Sequence, residues 1–204
     1  MRDKLIHAAI ERFGKRGFDG VGTREIAAAV DTPMSSITYH FGGKEGLYLA
    51  AAEHIFDHIH DVLGADGLQL PGDDATREQR ITGVCAMIRA AGAFMLSERS
   101  APFALFMGRE QQAPSPEVLE LMQAKIMPMI RSLSQQVAIL RPDLDETEAK
   151  AVTVFLFGMA ITLRHSRTSL SLLLGSDMFD AATRTMLLDQ LESSARALLA
   201  GGEE

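Results

Sequence analysis

The stretch TPMSSITYHFGGKEGL, residues 32–47, contains a short helical pattern with two different faces. One face is apolar, with Ile37 and Phe41 one turn apart. The other face carries small or aromatic side chains that form hydrogen bonds: Ser35, Ser36, Thr38, Tyr39 and His40. Two glycines and a lysine follow, so the pattern predicts a helix over residues 34–41. Its polar face is suited to hydrogen bonds with a partner outside the helix.

A second short helix precedes this one. REIAAAV, residues 24–30, follows Thr23, whose hydroxyl we expect to cap the helix by accepting from a first-turn amide. Asp31-Thr32-Pro33 then interrupts the pattern, because proline restricts the residue before it to extended geometry and favours the first position of a new helix. Two short helices around a tight turn, with Ala27 and Ile37 packed between them, predict a helix-turn-helix.

Helical periodicity continues along the chain, and strand-like alternation never extends beyond a few residues. We therefore expect an all-α protein, with a three-helix helix-turn-helix domain over residues 1–48 and a larger helical domain over residues 49–204. Pro128 should kink or divide one of the later helices. After the first three helices, the pattern predicts helices at about 44–63, 76–97, 101–112, 116–140, 145–166 and 179–200.

Charge is unevenly distributed along the chain. The net charge is -7, but residues 1–48 hold seven Lys and Arg against six acidic residues, which gives +1. The remaining residues hold thirteen against twenty-one, which gives -8. An acidic body joined to a near-neutral N-terminal part is compatible with DNA contact through that part alone.

Composition also bears on location and chemistry. The longest apolar runs, such as VTVFLFGMAITL at 152–163, are too short to span a bilayer, and MRDKLIHAAIERF is an amphipathic helix and not a secretion signal. Cys85 is the single cysteine, so no internal disulfide forms, which fits a reducing compartment. We expect a cytoplasmic protein. Phosphate loops, nucleophile elbows and HExxH motifs do not occur, so we expect neither an enzyme nor a cofactor.

Residues 4–50 resemble the DNA-binding domain of TetR-type transcriptional regulators, in the order RGFDGVGT, REIAAAV and SSITYHFGGKEGLY. The family usually has Gly-Val-Ser where this chain has Asp31-Thr32-Pro33, but aspartate tolerates left-handed backbone and should preserve the turn. The resemblance implies three groups of contacts with double-stranded operator DNA: Thr23 and Arg24 with the backbone, Met34, Ser35, Ser36 and Thr38 with bases, and Tyr39, His40 and Lys44 with phosphates.

The C-terminal part is similar to the subgroup with a CerR-like C-terminal domain, on the evidence of FALFMGREQQAPSPEVLELM and the two closing helices. The resemblance implies a homodimer through the last two long helices, and a cavity for a small-molecule inducer whose binding releases a palindromic operator from a repressor. The segment VTVFLFGMAITL is apolar almost all round, so a helix formed by it needs packing partners on two sides, as a dimer would provide. The alternative is a helix buried in the core of a monomer. Candidate ligand-binding residues are Phe94, Phe103, Phe106, Met107, Arg109, Phe155, Met159, Arg164 and His165, and an ordinary methionine-rich core is the alternative.

A different reading is an all-α small-molecule or metal-binding protein whose helix-turn-helix does not bind DNA. One stripe of the predicted fourth helix carries His54, Asp57, His58 and Asp61 at i, i+3, i+4 and i+7. Imidazoles one turn apart with flanking carboxylates can bind a divalent cation. No cysteine supports such a site, so we expect a solvated polar face and no metal.

Overall fold

The computed structural model describes residues 1–64, 70–175 and 180–201, and within these ranges the chain forms eleven helices and no strand. The all-α fold class is therefore confirmed. The helices are α1 (Arg2–Arg16), α2 (Thr23–Ala28), α3 (Ser35–Phe41), α4 (Lys44–Gly64), α5 (Arg77–Met95), α6 (Ser100–Gln112), α7 (Pro116–Lys125), α8 (Met127–Leu140), α9 (Glu146–His165), α10 (Arg167–Leu174) and α11 (Ala181–Ala200). Residue 179, the predicted start of the last helix, lies outside the described residues. Among the described helices none is long and apolar enough to cross a membrane by itself, and only α5 and α6 counted together would meet that test.

The helical segment over 116–140, which Pro128 was expected to kink or divide, is divided in two. Helix α7 ends at Lys125 and α8 begins at Met127, one residue before Pro128. Proline is tolerated in the first turn of a helix, because the N–H it lacks would have no intrahelical partner there. The predicted division of this segment is confirmed.

Helix α10 was not predicted from the sequence. Ser166, with φ -100° and ψ 18°, separates it from α9, and none of its residues is buried. Leu172 and Leu173 are 79% and 81% exposed. The run LSLLL has no single apolar stripe, so helical periodicity does not distinguish it from a loop.

Contacts between residues divide the chain into two compact units. The first unit comprises Met1–Ile59 and Ala101–Ile126, and the second comprises His60–Ser100 and Met127–Glu204. This grouping describes packing alone, so the division at residue 48 into two functional domains stays a prediction.

In the first unit, α1 and α6 approach closely at Gly14. A methyl group at this position would lie 3.0 Å from the carbonyl oxygen of Pro102 and 3.1 Å from the amide nitrogen of Phe106. Arg109 donates from Nε to the carbonyl oxygen of Gly14 and from Nη2 to that of Lys15, both at 2.9 Å. Carbonyl groups in the last turn of a helix lack intrahelical partners, so Arg109 caps the end of α1.

In the second unit, α5 packs against α9 and α11. A methyl group at Gly92 of α5 would lie 2.4 Å from the side chain of Leu191, so glycine allows α5 and α11 to come together. Arg77 at the start of α5 donates to the carbonyl oxygens of Leu140 at 2.6 Å and Ala200 at 3.0 Å. One guanidinium therefore satisfies the last residues of both α8 and α11.

Candidate nucleic-acid interface

The turn between α2 and α3 depends on a left-handed residue. Asp31 has a φ of 51°, a conformation that aspartate adopts more readily than most residues. The backbone amides of Val30 and Thr32 both donate to the carbonyl oxygen of Ala27, at 3.2 and 3.1 Å. The chain therefore reverses within a few residues, and the expectation that Asp31 preserves the turn is confirmed.

The start of α2 differs from the prediction. Gly22 is the N-cap residue, with extended backbone at φ -93° and ψ 144°, and no side chain caps the helix. The expected cap by the Thr23 hydroxyl is wrong, because Thr23 is already the first helical residue and not the residue before the helix. Arg24 follows it, exposed to solvent and without a carboxylate partner among the described residues.

Helix α3 buries one face and exposes the other. Ile37 is 1% exposed and holds the helix on the core of the first unit, whereas Tyr39 is 85% exposed. Ser36 is half-buried, and its hydroxyl oxygen lies 3.0 Å from that of Thr32. The other exposed residues at this face are Met34, Ser35, Thr38 and His40. The outward orientation expected for these side chains is therefore present, with Ser36 at the margin.

Two glycines separate α3 from α4. Gly42 and Gly43 have φ angles of 75° and 144°, which favour glycine, and α4 begins at the next residue, Lys44. The Lys44 ammonium nitrogen lies 4.3 Å from the centre of the Phe18 ring, within the range of a cation–π contact. Phe18 positions this cation and was missed from the sequence, although an aromatic residue in the glycine-rich loop GFDG is a signal that could have revealed it.

Ion pairs separate the basic residues of the first unit into two groups. Arg16 donates a hydrogen bond to Glu25, which lowers the pKa of that carboxyl, and Arg12 Nε lies 3.5 Å from the other carboxylate oxygen. Lys15 Nζ lies 2.7 Å from Glu11. The charges of these cations are therefore partly neutralised within the protein. Among the described residues, the N-terminal cations without a carboxylate partner are Arg2, Lys4, Arg24 and Lys44.

The candidate ligand-binding residues are divided between the two units. The first unit holds Phe103, Phe106, Met107 and Arg109, and the second holds Phe94, Phe155, Met159, Arg164 and His165. Phe106 is buried with its ring 4.7 Å from that of Tyr48, whereas Phe155 is 63% exposed. Arg164 donates from Nε to the carbonyl oxygen of Met95 and to Ser100 Oγ, both at 2.9 Å. Arg109 and Arg164 therefore each donate hydrogen bonds to backbone carbonyl groups of their own unit.

The histidine and aspartate stripe of α4 packs against other side chains. Lys125 Nζ lies 2.6 Å from the carboxylate of Asp57. The rings of His54 and His58 lie 6.3 and 5.3 Å from that of Phe103, and burial is the main cause that lowers the pKa of His54. Within the described part of the chain, no three His, Cys, Asp or Glu side chains are grouped so that they could hold a metal ion.

Comparison with known proteins matches both parts of the chain. Residues 5–51 match the family model for bacterial regulatory proteins of the tetR family, and residues 78–202 match that for the C-terminal domain of the HTH-type transcriptional dual regulator CecR. CecR of Shigella flexneri is 28% identical over 198 residues, which are 93% of this chain and 86% of that protein. IcaR of Staphylococcus aureus, a negative transcriptional regulator of the biofilm operon icaADBC, is 33% identical over 63 residues, or 31% of this chain and 34% of that protein.

The fold is also that of a solved structure. AibR in complex with isovaleryl coenzyme A and operator DNA has a TM-score of 0.72 at 14% identity, with 95% of this chain and 96% of that one covered. The CecR match covers more than half of the chain and confirms the subgroup indicated by the sequence, whose name is CecR and not CerR. The chain therefore belongs to the TetR family of bacterial regulatory proteins, DNA-binding regulators of transcription that are not enzymes, and its C-terminal domain is of the CecR type.

Proposed function

We propose that this regulator is a homodimeric repressor that binds a palindromic operator through α3 and releases it when a small molecule binds. The observation that carries the proposal is the exposed polar face of α3, held outward because Ile37 is buried. The proposed partner of this regulator is DNA, so its proposed location is the cytoplasm.

Short side chains on α3 suit a helix that lies deep in the major groove, where hydroxyls donate to or accept from base edges. Met34 suits contact with a thymine methyl group. Exposed donors and cations, together with the half-buried Thr23 and Lys44, suit phosphates, which position the protein without reading the sequence. The proposed contacts are Met34, Ser35, Ser36 and Thr38 with bases, and Thr23, Arg24, Tyr39, His40 and Lys44 with the backbone.

An exposed apolar stripe on α9 supports a dimer. Val154, Phe155 and Ile161 are exposed, and a methyl group at Gly158 between them would meet no atom within 4 Å. Met186 on α11 is also exposed. Contiguous exposed apolar side chains of this kind mark interaction surfaces. We therefore propose that α9 and α11 pair with those of a second copy in a four-helix bundle.

The proposed inducer is a small molecule, and the candidate residues for binding it are Phe103, Phe106, Met107 and Arg109 within the first unit and Phe94, Phe155, Met159, Arg164 and His165 within the second. Methionine and phenylalanine side chains line adaptable apolar pockets, and the arginines and His165 would orient polar groups of the ligand. Ligand binding would tilt α4 and change the separation of the two α3 helices. Half-sites in successive major grooves lie about 34–36 Å apart, so a small change in separation weakens both contacts together.

The DNA assignment is tested with an operator recovered by selection from a pool of random duplexes. Lys44→Ala and Tyr39→Ala should each weaken binding about fivefold or more, and Ser35→Ala should change the preferred sequence. Lys15→Ala and Leu119→Ala are matched controls outside the proposed interface, and they should bind as the parent does. If the folded Lys44→Ala and Tyr39→Ala proteins bind as tightly as the parent, the assignment fails. If no duplex shows salt-dependent binding, the alternative is favoured, namely a small-molecule or metal-binding protein whose helix-turn-helix does not bind DNA.

The release step has its own test. Compounds that raise the melting temperature of the protein are selected, and operator affinity is measured with and without each. An inducer should lower operator affinity, and operator DNA should lower the affinity for the inducer by the same factor, because coupling between two binding sites is reciprocal. Stabilising compounds that all leave operator affinity unchanged would contradict ligand-dependent release.

A further inference from the structure

Arg2, the first residue of α1, lies against the last residue of α3. The central carbon of its guanidinium group is 5.5 Å from the centre of the Phe41 ring, within the range of a cation–π contact. The contact holds a cation at the end of the helix that is proposed to read the operator.

Ring contacts continue from Phe41 back along α3. The rings of Phe41 and His40 lie 6.1 Å apart, and those of His40 and Tyr39 lie 5.0 Å apart. Tyr39 and His40 are exposed and are proposed as phosphate contacts. Arg2 extends this row of side chains by one positive charge.

The charge of Arg2 is not neutralised within the protein. Although Asp3 follows directly in the sequence, Arg2 forms no ion pair with any of the described residues, whereas Lys15 at the other end of α1 is paired with Glu11. A guanidinium group is planar and always charged, and its paired N–H donors match phosphate oxygens. The Phe41 ring restricts the movement of this group, which reduces the entropy lost when the group binds.

We propose that Arg2 is a further DNA contact, which binds a backbone phosphate beside those proposed for Tyr39 and His40. This inference rests on the proposed function of α3. A phosphate contact carries no information about the bases, so Arg2 should strengthen binding to preferred and other duplexes by a similar factor.

The test is an anisotropy titration of the selected operator and of an unrelated duplex, in salt from about 0.05 to about 0.3 M NaCl. Arg2→Ala should weaken binding about fivefold per protomer near 0.15 M salt, and should reduce the slope of log K against log salt by about 0.9 per lost contact. Lys15→Ala removes the same charge from the same helix and should leave both values close to those of the parent.

Two further variants separate a DNA contact from a structural role. Arg2→Lys should preserve most of the salt slope, and Arg2→Ala should have a smaller effect in a Phe41→Leu background, where the ring that positions the guanidinium is absent. Equal binding by Arg2→Ala and Lys15→Ala across the salt range would overturn the inference. A loss in Arg2→Ala that comes with a lower melting temperature and is not restored by Arg2→Lys would also overturn it. Lys44→Ala distinguishes failure of the Arg2 contact from failure of the proposed function of α3. If Lys44→Ala also binds like the parent, the proposed function fails. If Lys44→Ala binds more weakly, only the Arg2 contact fails.

Discussion

The phenol hydroxyl of Tyr48, near the start of α4, donates a hydrogen bond to the buried carboxylate of Glu110, near the end of α6. The other carboxylate oxygen of Glu110 accepts from the backbone nitrogen of Ser115 at 3.0 Å and from Ser115 Oγ at 3.1 Å. A buried carboxylate is costly unless its oxygens have partners. Three elements of the first unit are thus joined at one carboxylate.

Tyr48→Phe should lower the free energy of unfolding by about 1.5–3 kcal/mol, because a hydrogen bond to a buried charged acceptor is lost. Urea denaturation measures this as a lower midpoint with an unchanged slope. Tyr39→Phe is the matched control, since Tyr39 is exposed, and it should stay within about 0.5 kcal/mol of the parent. Equal midpoints for the two variants would mean that the Tyr48–Glu110 bond adds nothing to stability.

Alkaline pH should lower the free energy of unfolding through the same tyrosine. Burial, followed by the hydrogen bond to Glu110, raises the pKa of Tyr48 well above its ordinary value. Above about pH 10 the unfolded chain loses this proton while the folded chain keeps it, so ionisation favours unfolding. The free energy of unfolding should therefore fall as the pH rises past 10, and Tyr48→Phe should lack this part of the decline. Parallel profiles for parent and variant would contradict the prediction.

Acid pH acts on His54. Burial first, and then the nearby His7 and His58, lower the pKa of His54. Below about pH 6.5 the unfolded chain binds the proton more readily than the folded chain does, so stability should decline as the pH falls through that value. His54→Gln should flatten this decline in urea midpoints measured down to about pH 5.5, whereas the exposed control His60→Gln should not.

Two glycine-to-alanine changes should have opposite effects on the protomer. Gly14→Ala should cost about 1–3 kcal/mol, because the added methyl group meets the backbone of α6. Gly158→Ala meets no atom of its own chain and should favour α9 by about 0.5–1 kcal/mol. If α9 pairs with a second copy, Gly158→Ala should also weaken the dimer in sedimentation measurements. A dimer that is unaffected would mean that the partner does not approach at Gly158.

Phe155→Glu should dissociate the dimer without unfolding the protomer. A charge in place of the Phe155 ring, which is 63% exposed, stays in contact with water in the free protomer but would be buried in the proposed interface. Light scattering measures the dissociation of the dimer, and the helical circular dichroism signal shows whether the protomer stays folded. Leu119→Glu on α7 is the control, because Leu119 is also exposed but lies outside the proposed interface. Equal dimer stability in both variants would place the interface elsewhere.

Much of the fold could be predicted from neighbouring residues alone. The helical class, the interruption before α3, the division near Pro128 and the outward side of α3 all follow from periodicity and backbone restriction. The left-handed backbone at Asp31 was expected from the resemblance to TetR-type regulators. The cap assigned to Thr23 was wrong, because helix ends shift by a residue without changing the apolar pattern.

The sequence by itself determined the helical class, the tight turn and the types of side chain on α3, because these depend on residues within one or two turns of each other. Only the tertiary structure decided which cations are left free for a partner and which are used by the fold. Arg16 is paired with Glu25 from the next helix, and Arg109 reaches the end of α1 from far along the chain, whereas Arg2 lies on Phe41. Ion pairing and burial depend on groups that folding brings together, and spacing along the chain does not encode those distances.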